Sequence, residues 1–456
     1  MGDVTTERAA RRVLFLAYYF PPLGGGGVQR SLAFTRYLPE HGYEPLVVTG
    51  PAGDAVQWGP KDATLAARVG QTFDVVRVPG HEPERTTAWR CRWERWARVE
   101  EEFSRWWVDG AVATGRPHVH DADVVYASMS PFETGRAAAQ LAAASGKPWV
   151  ADLRDPWALD DWLVFPTGVH RRLELGTMRR ALSSAAAVVM NTPDARSELL
   201  RRAPELGDRP VVTIPNGFDP SDFDGPAPAR EPCVFRIVHA GHVHTRPERA
   251  TTKLGRRILG GSERGLETFT RSHAYLVRAI DRLLERRPDL RAAIRLELVG
   301  PMSDADRASL PEYAVSRGYL AHAQTIELLR AADLLFLPMH DLAEGQRARI
   351  IPGKTYEYLA AKTPVLGAVP DGDARELLEA AGNADVCRPT DVDAMSAAIE
   401  RRADNWRAGI EPPEPDPDLL PRFDRRRLTA ELAGVFDLVL GPAAVPVHHS
   451  TPEVPA

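Results

Sequence analysis

The chain has 456 residues, enough for two or three domains with sizeable cores. Its 57 Lys and Arg against 62 Asp and Glu give a net charge of −5, which lacks the basic excess of a nucleic-acid binder. A 44% hydrophobic and 26% charged composition is that of a soluble globular protein, and three scattered cysteines, Cys91, Cys233 and Cys387, argue against a disulfide framework or a cysteine zinc site.

From the N-terminus, MGDVTTERAARR runs into VLFLAYYF, too short to span a bilayer and without a signal-peptide cleavage site. It reads as a first strand of a cytoplasmic protein. Apolar runs at Val13–Tyr19, Pro45–Thr49, Asp74–Val78, Asp123–Ala127, Trp149–Asp152, Ala187–Met190 and Val211–Ile214 predict buried strands. Helical patterns at Gln29–Glu40, Gly135–Ser145 and His170–Ala185 fall between them. Uniformly apolar strands alternating with helices indicate a parallel sheet covered on both faces. Trp89, Trp93, Trp96, Phe103 and Trp107 share one stripe at helical spacing, predicting an amphipathic helix over Trp89–Trp107. Core packing is its plainer use, and a wall facing an acceptor or a lipid surface the alternative.

Asn216–Pro232, rich in Pro, Gly and Asp, reads as a linker, after which the alternation restarts. Strands are predicted at Val234–Ala240, Ile294–Val299, Leu334–Pro338, Pro364–Ala368 and Ala384–Cys387. Helices are predicted at His273–Arg286, Thr325–Ala332, Lys354–Ala361, Arg375–Ala381 and Val392–Asn405. Arg246–Arg264 reads as a long loop, Arg422–Leu440 as a last helix with Arg425, Arg426 and Arg427 on a solvated face, and the tail from Gly441 as disordered. The fold class is therefore α/β: two doubly wound, Rossmann-like domains facing each other across a cleft. The expected divisions are a flexible 1–11, an N-terminal domain over 12–220, a C-terminal domain over 221–410, a linker and helix over 411–440, and a tail over 441–456.

Several stretches fall where such sheets bind ligands, beyond the strands' carboxyl ends. Gly24–Gly27 lies between the first strand and its helix, where glycines let an anionic ligand approach the backbone. It is not a dinucleotide fingerprint, because Gln29 stands where a glycine is needed, nor a Walker loop, because no Gly-Lys-Ser/Thr follows. Asp152-Leu153-Arg154-Asp155-Pro156-Trp157 closes another strand, with Asp155 expected to face the cleft and Asp152 equally readable as a local ion pair. His239, His242 and His244 surround Gly241 without an acidic cluster, so a ligand near Gly241 with one His lining the cleft fits better than a metal. In Ile351-Pro352-Gly353-Lys354-Thr355-Tyr356-Glu357, the amides from Gly353 and the Lys354 ammonium would meet a diphosphate. Glu357, one turn later, would accept the hydroxyls of a ribose.

With these residues in place, the chain resembles a nucleotide-sugar glycosyltransferase of the GT-B fold, most similar to glycosyltransferase family 4. The resemblance spans residues 12–440 and rests on YYFPPLGGGGVQRSLAFTRYLPEHGY, DLRDPW, VVTIPNGFD, HAGHVH, ELVGP and GKTYEYLAAKTPVLG taken in this order. It implies retaining transfer from a UDP- or GDP-type sugar to an acceptor hydroxyl, with no metal or other cofactor. Carried over, Gly25, Gly26 and Gly27 lie beside the donor phosphates and acceptor, and Gly241 and His242 line the donor cleft. Gly353, Lys354 and Thr355 lie at the diphosphate, and Glu357 at the ribose. Arg246, Lys253 or Arg264 supplies basic charge. Asp155 and Arg154 serve the reacting hydroxyls, with Ser128 standing where the family often has a His. Arg349 occupies the place of the family's first paired Glu. The implied partners are a nucleotide-sugar and a small-molecule or lipid-linked acceptor, with peripheral membrane contact through the Trp stripe. A nucleotide-sugar 2-epimerase and a non-catalytic nucleotide-sugar-binding protein are the rival readings.

Overall fold

A computed structural model describes residues 10–52, 61–69, 73–84, 93–94, 96–241 and 259–441. Among them the strands form two parallel sheets. The first has seven strands, β1 (Arg11–Ala17), β2 (Tyr43–Thr49), β3 (Asp74–Arg77), β4 (Val124–Ser128), β5 (Trp149–Leu153), β6 (Ala187–Met190) and β7 (Val211–Thr213), in the order β3-β2-β1-β4-β5-β6-β7. The second has six, β8 (Phe235–Ala240), β9 (Ile294–Val299), β10 (Ala314–Gly318), β11 (Leu334–Pro338), β12 (Val365–Ala368) and β13 (Ala384–Cys387), in the order β10-β9-β8-β11-β12-β13. In both, the order reverses beside the first strand, β1 against β4 and β8 against β11, which opens a crevice at the strands' carboxyl ends. This is the two-domain α/β GT-B arrangement expected from the sequence.

The inner strands are largely apolar because helices cover both faces: β4 and β5 are buried at every residue. β10 was not expected. It is an edge strand with alternating half-buried and exposed residues, and AVSRG carries too little apolar signal to be recognised. The Trp stripe is interrupted. Helix α1 (Gly26–Tyr37) covers the sheet near the crevice, α2 (Ala63–Ala66) is a single turn, and α3 spans only Glu102–Gly115. Arg98 adopts a positive φ of 53°, which turns the chain before α3 begins. Trp107 is therefore fully buried, whereas Trp93 and Trp96 are 56% and 62% exposed, and Trp89 lies outside the described residues.

A buried ion pair holds α1 on the sheet. Arg30 grips Asp152 with Nε–Oδ2 and Nη2–Oδ1 both at 2.8 Å, Tyr126 donates to the same carboxylate, and Arg30 Nη1 reaches the Pro215 carbonyl at 2.6 Å. Asp152 is thus a structural group locked beneath the glycine loop. The last helix, Arg425–Leu440, packs Leu428, Leu432 and Phe436 into the core of the first sheet. Its Arg425 is not solvated as expected: it is buried, donating to Gln29 Oε1 at 2.9 Å and to the Asn216 carbonyl at 3.1 Å. Among the described residues no helix is long and apolar enough to cross a membrane.

Candidate active site

The N-terminal domain contributes the carboxyl ends of β1, β4 and β5. Gly27 lies directly against Arg154, and a Cβ there would overlap the guanidinium, so a side chain at this position would push Arg154 away from the loop. Arg154 Nη2 donates to Ser130 Oγ at 2.8 Å and Nε lies 3.5 Å from Asp155 Oδ2. Gly25 and Gly26 border open space, and the Asp155 side chain is 40% exposed. Ser128 is buried below them, accepting from Ser31 Oγ at 3.2 Å. Gly25, Gly26, Gly27, Arg154 and Asp155 therefore share one rim, while Ser128 faces α1.

The C-terminal domain contributes two cationic side chains and two buried histidines near the ends of β8 and β11. Gly241 has a φ of +138°, and a Cβ there would overlap Lys354 Nζ and fall 2.9 Å from its Cε. Lys354 opens a short helix, Lys354–Ala360, and lies along the backbone of Gly241. Burial, aided by the nearby Arg271 charge and opposed by Glu357, pushes its ammonium down to about 7. Arg271, just before helix Ala274–Arg286, is itself lowered by burial, against the charges of Asp160 and Asp155 from the opposite domain. His340, following β11, is buried with neither ring nitrogen partnered among the described residues, and burial with Arg271 nearby takes it to about 3. His239 donates from Nδ1 to the Phe336 carbonyl at 2.9 Å, and burial, then Lys354, hold it neutral well below the usual histidine range. Several basic groups thus converge where the neighbouring acids do not offset their desolvation, an arrangement suited to a bound polyanion.

Glu357 sits one turn beyond Lys354, close enough to act electrostatically on Lys354, His322 and Arg425. Thr355 is buried with its hydroxyl unpartnered among the described residues, and Gly353 borders open space. Arg264 is on the exposed surface, while His242, Arg246 and Lys253 lie outside the described residues. Arg271 escaped the sequence reading: it is a lone Arg in FTRSHAYLV, and only the start of its helix, brought beside Lys354 by the sheet, marks it. Among the described residues no three His, Cys, Asp or Glu side chains converge as metal ligands.

The helix after the glycine loop also meets the second domain. Gln29 Nε2 meets His322 Nδ1 at 2.7 Å, His322 Nε2 lies 2.8 Å from Asp222 Oδ2, and the His322 backbone N–H donates to Asp62 at 2.8 Å. The helix after the glycine loop is thereby tied to the C-terminal domain.

Gly241→Ala should be among the most damaging changes outside the charged groups. The new methyl must displace Lys354, and the positive φ strains any L side chain. Donor turnover should fall at least tenfold with little change in far-UV circular dichroism. Unaltered turnover would mean that Lys354 need not lie on this backbone.

Residues 24–222 match the family model for Glycosyltransferase Family 4, and residues 266–405 match that for Glycosyl transferases group 1. Among solved structures, Anabaena HepE bound to UDP and glucose is 16% identical, with a TM-score of 0.57 over 94% of this chain and 99% of that one. Sucrose-phosphate synthase of Thermosynechococcus elongatus is 12% identical, with a TM-score of 0.59 over 93% of this chain and 98% of that one. A Listeria monocytogenes protein assigned as a UDP-N-acetylglucosamine 2-epimerase is 13% identical, with a TM-score of 0.51 over 94% and 96%. No curated protein matches the chain in sequence. At these identities the structural likenesses speak for the fold, and the two family matches for the class, a GT-B glycosyltransferase. The chain belongs to the family 4-like glycosyltransferases.

Proposed function

We propose that this glycosyltransferase is retaining and metal-independent, and that it transfers a sugar from a UDP- or GDP-type donor to a hydroxyl of a small-molecule or lipid-linked acceptor. The observation that carries the donor half is the pairing of Lys354 and Arg271 at the switch point of the second sheet, with Glu357 one turn away. The cations suit a diphosphate and the carboxylate suits a ribose. HepE, with the same fold, holds UDP, which supports the reading.

In the transfer, the bond between the sugar's anomeric carbon and the diphosphate oxygen breaks and negative charge grows on the leaving group. Lys354 and Arg271 stabilise that charge in a site shielded from water. The acceptor oxygen bonds to the anomeric carbon on the same face, and its proton passes to a diphosphate oxygen, leaving a glycoside and a nucleoside diphosphate. Asp155 and Arg154, on the facing rim, position the hydroxyls. A lipid-linked acceptor draws support from the exposed Trp93, Trp96, Val169, Leu173 and Leu259. Flotation with anionic liposomes, lost in Trp96→Ser, is the expected result for that acceptor class, and flotation unchanged by the substitution would remove it.

The direct test is thermal stability against UDP, GDP, TDP and ADP. A nucleotide at 100 times its Kd should stabilise by about 2.7 kcal/mol, and Glu357→Ala should abolish the gain. If no nucleotide stabilises the protein, the donor reading is wrong. Affinity should also depend on pH. A diphosphate favours protonated Lys354, which in the free protein loses its proton near about 7. Binding should therefore weaken as pH rises above that value, by up to about tenfold per unit, across a range above the phosphate's own ionisation near ~6. Calorimetric titration from pH 7.5 to 9 should show this slope in the wild type and a flat profile in Lys354→Met.

A further inference from the structure

The segment that leaves β5 does not stay with its own domain. Phe165 N donates to the Gly261 carbonyl at 2.7 Å and Gly168 N to the Leu259 carbonyl at 2.8 Å, so main chain pairs with main chain across the cleft. A Cβ on Gly261 would overlap the Phe165 carbonyl oxygen, which permits this approach only to glycine. Trp162 and Val164 pack against the apolar core of the C-terminal domain. Asp161 accepts the backbone N–H of Arg349 at 2.7 Å and also pairs with its guanidinium, which reaches the Leu159 carbonyl at 3.3 Å. Glu263, 3.6 Å from Arg349, is paired in turn with Arg171. The next residue along the strap, Trp162, lies with its ring 4.1 Å from the Arg271 guanidinium carbon.

The order matters chemically. A guanidinium donates hydrogen bonds in its plane and offers its face to an aromatic ring. With Trp162 over one face, the plane of the fork is set, and among the described residues no hydrogen-bond partner takes the N–H edges of Arg271, which can meet phosphate oxygens. Asp161 fixes the backbone one residue before Trp162, and Arg349 holds Asp161. An arginine at position 349 suits a carboxylate on the opposing strap, as a Glu there would not.

We propose that Trp162 and the Asp161–Arg349 pair are positioning residues that act through Arg271: they clasp the strap onto the C-terminal domain and so couple cleft closure to the orientation of the cation that meets the donor phosphates. This rests on the donor reading above for Arg271, whereas the clasp itself can be read without a donor.

Trp162→Ala, Trp162→Phe and Arg349→Met, made in the full chain, provide the test. Trp162→Ala and Arg349→Met should each lower kcat by about tenfold or more and raise donor hydrolysis relative to transfer, while Trp162→Phe, which keeps a ring over Arg271, should retain most activity. Small-angle scattering without nucleotide should show a larger radius of gyration for Arg349→Met and Trp162→Ala than for the wild type. Variants with wild-type kcat, hydrolysis ratio and scattering would overturn the proposal, as would a Trp162→Phe no better than Trp162→Ala. If the wild type binds no nucleotide yet the scattering difference holds, the clasp stands and the donor reading fails. If nucleotide binds and the scattering is unchanged, the reverse is true.

Discussion

Replacing Lys354 with methionine should lower kcat by roughly 100- to 1,000-fold, the usual cost of removing one preorganised group that stabilises developing charge. Methionine keeps the length and apolar stem of the side chain, so the loss should come without unfolding. Stability should move the other way. In the folded protein the ammonium is pushed to about 7 from an ordinary value of 10.5. Between those values the unfolded chain binds the proton and the folded one does not, so wild-type stability rises with pH through this window. The destabilising charge is fully present below 7 and absent above 10.5. Lys354→Met should therefore gain on the wild type at pH 6 and lose that advantage near pH 10, as read by urea unfolding. A variant that keeps activity within threefold of wild type would move the diphosphate site elsewhere.

Asp152→Ala should be the most destabilising single change in the N-terminal domain. It leaves Arg30, 2% exposed, as a buried charge without a counter-ion, and removes the acceptor of Tyr126. Breaking such a pair costs roughly 3–5 kcal/mol, whereas replacing both members by apolar groups of similar volume is often close to neutral. The double variant Arg30→Met/Asp152→Leu should thus recover most of the loss in chemical denaturation. A single substitution costing under about 1 kcal/mol would show that the pair is not the clamp on α1 that the geometry implies.

The two effects separate the roles of neighbouring motifs. Asp152 and Asp155 both belong to DLRDPW, three residues apart, and sequence reasoning left Asp152 undecided. Strand alternation sends Asp152 inward against Arg30, while Asp155, beyond the strand, faces the cleft. The rim and the clamp beneath it come from one hexapeptide.

How far the amino-acid sequence determines this protein follows from the range of the forces involved. The strands at Ala187–Met190 and Leu334–Pro338 begin and end where their apolar runs do, because burial on both faces writes itself into consecutive residues. The glycine loop and DLRDPW stand at the ends of strands, where the parallel topology leaves one edge for ligands, whereas GKTYEY opens a helix that packing brings beside Gly241. β10 was hidden because an edge strand needs little apolar content. The break before α3 was hidden because a backbone turn at Arg98 overrides the stripe of tryptophans around it.

The remaining features depend on partners far apart in the chain. Arg271 beside Lys354, Asp161 against Arg349, and Arg425 buried on Gln29 are each pairs that no local pattern encodes. Of those three arginines, Arg425 is expected on a solvated face and Arg271 carries no local signal at all. Local sequence settles which segments are strands and helices, since propensity and burial act over a few residues. Which charges meet, and whether a cation lies in solvent or in a cleft, was decided only when two sheets and a strap were packed together, because desolvation and ion pairing depend on what comes from the other side.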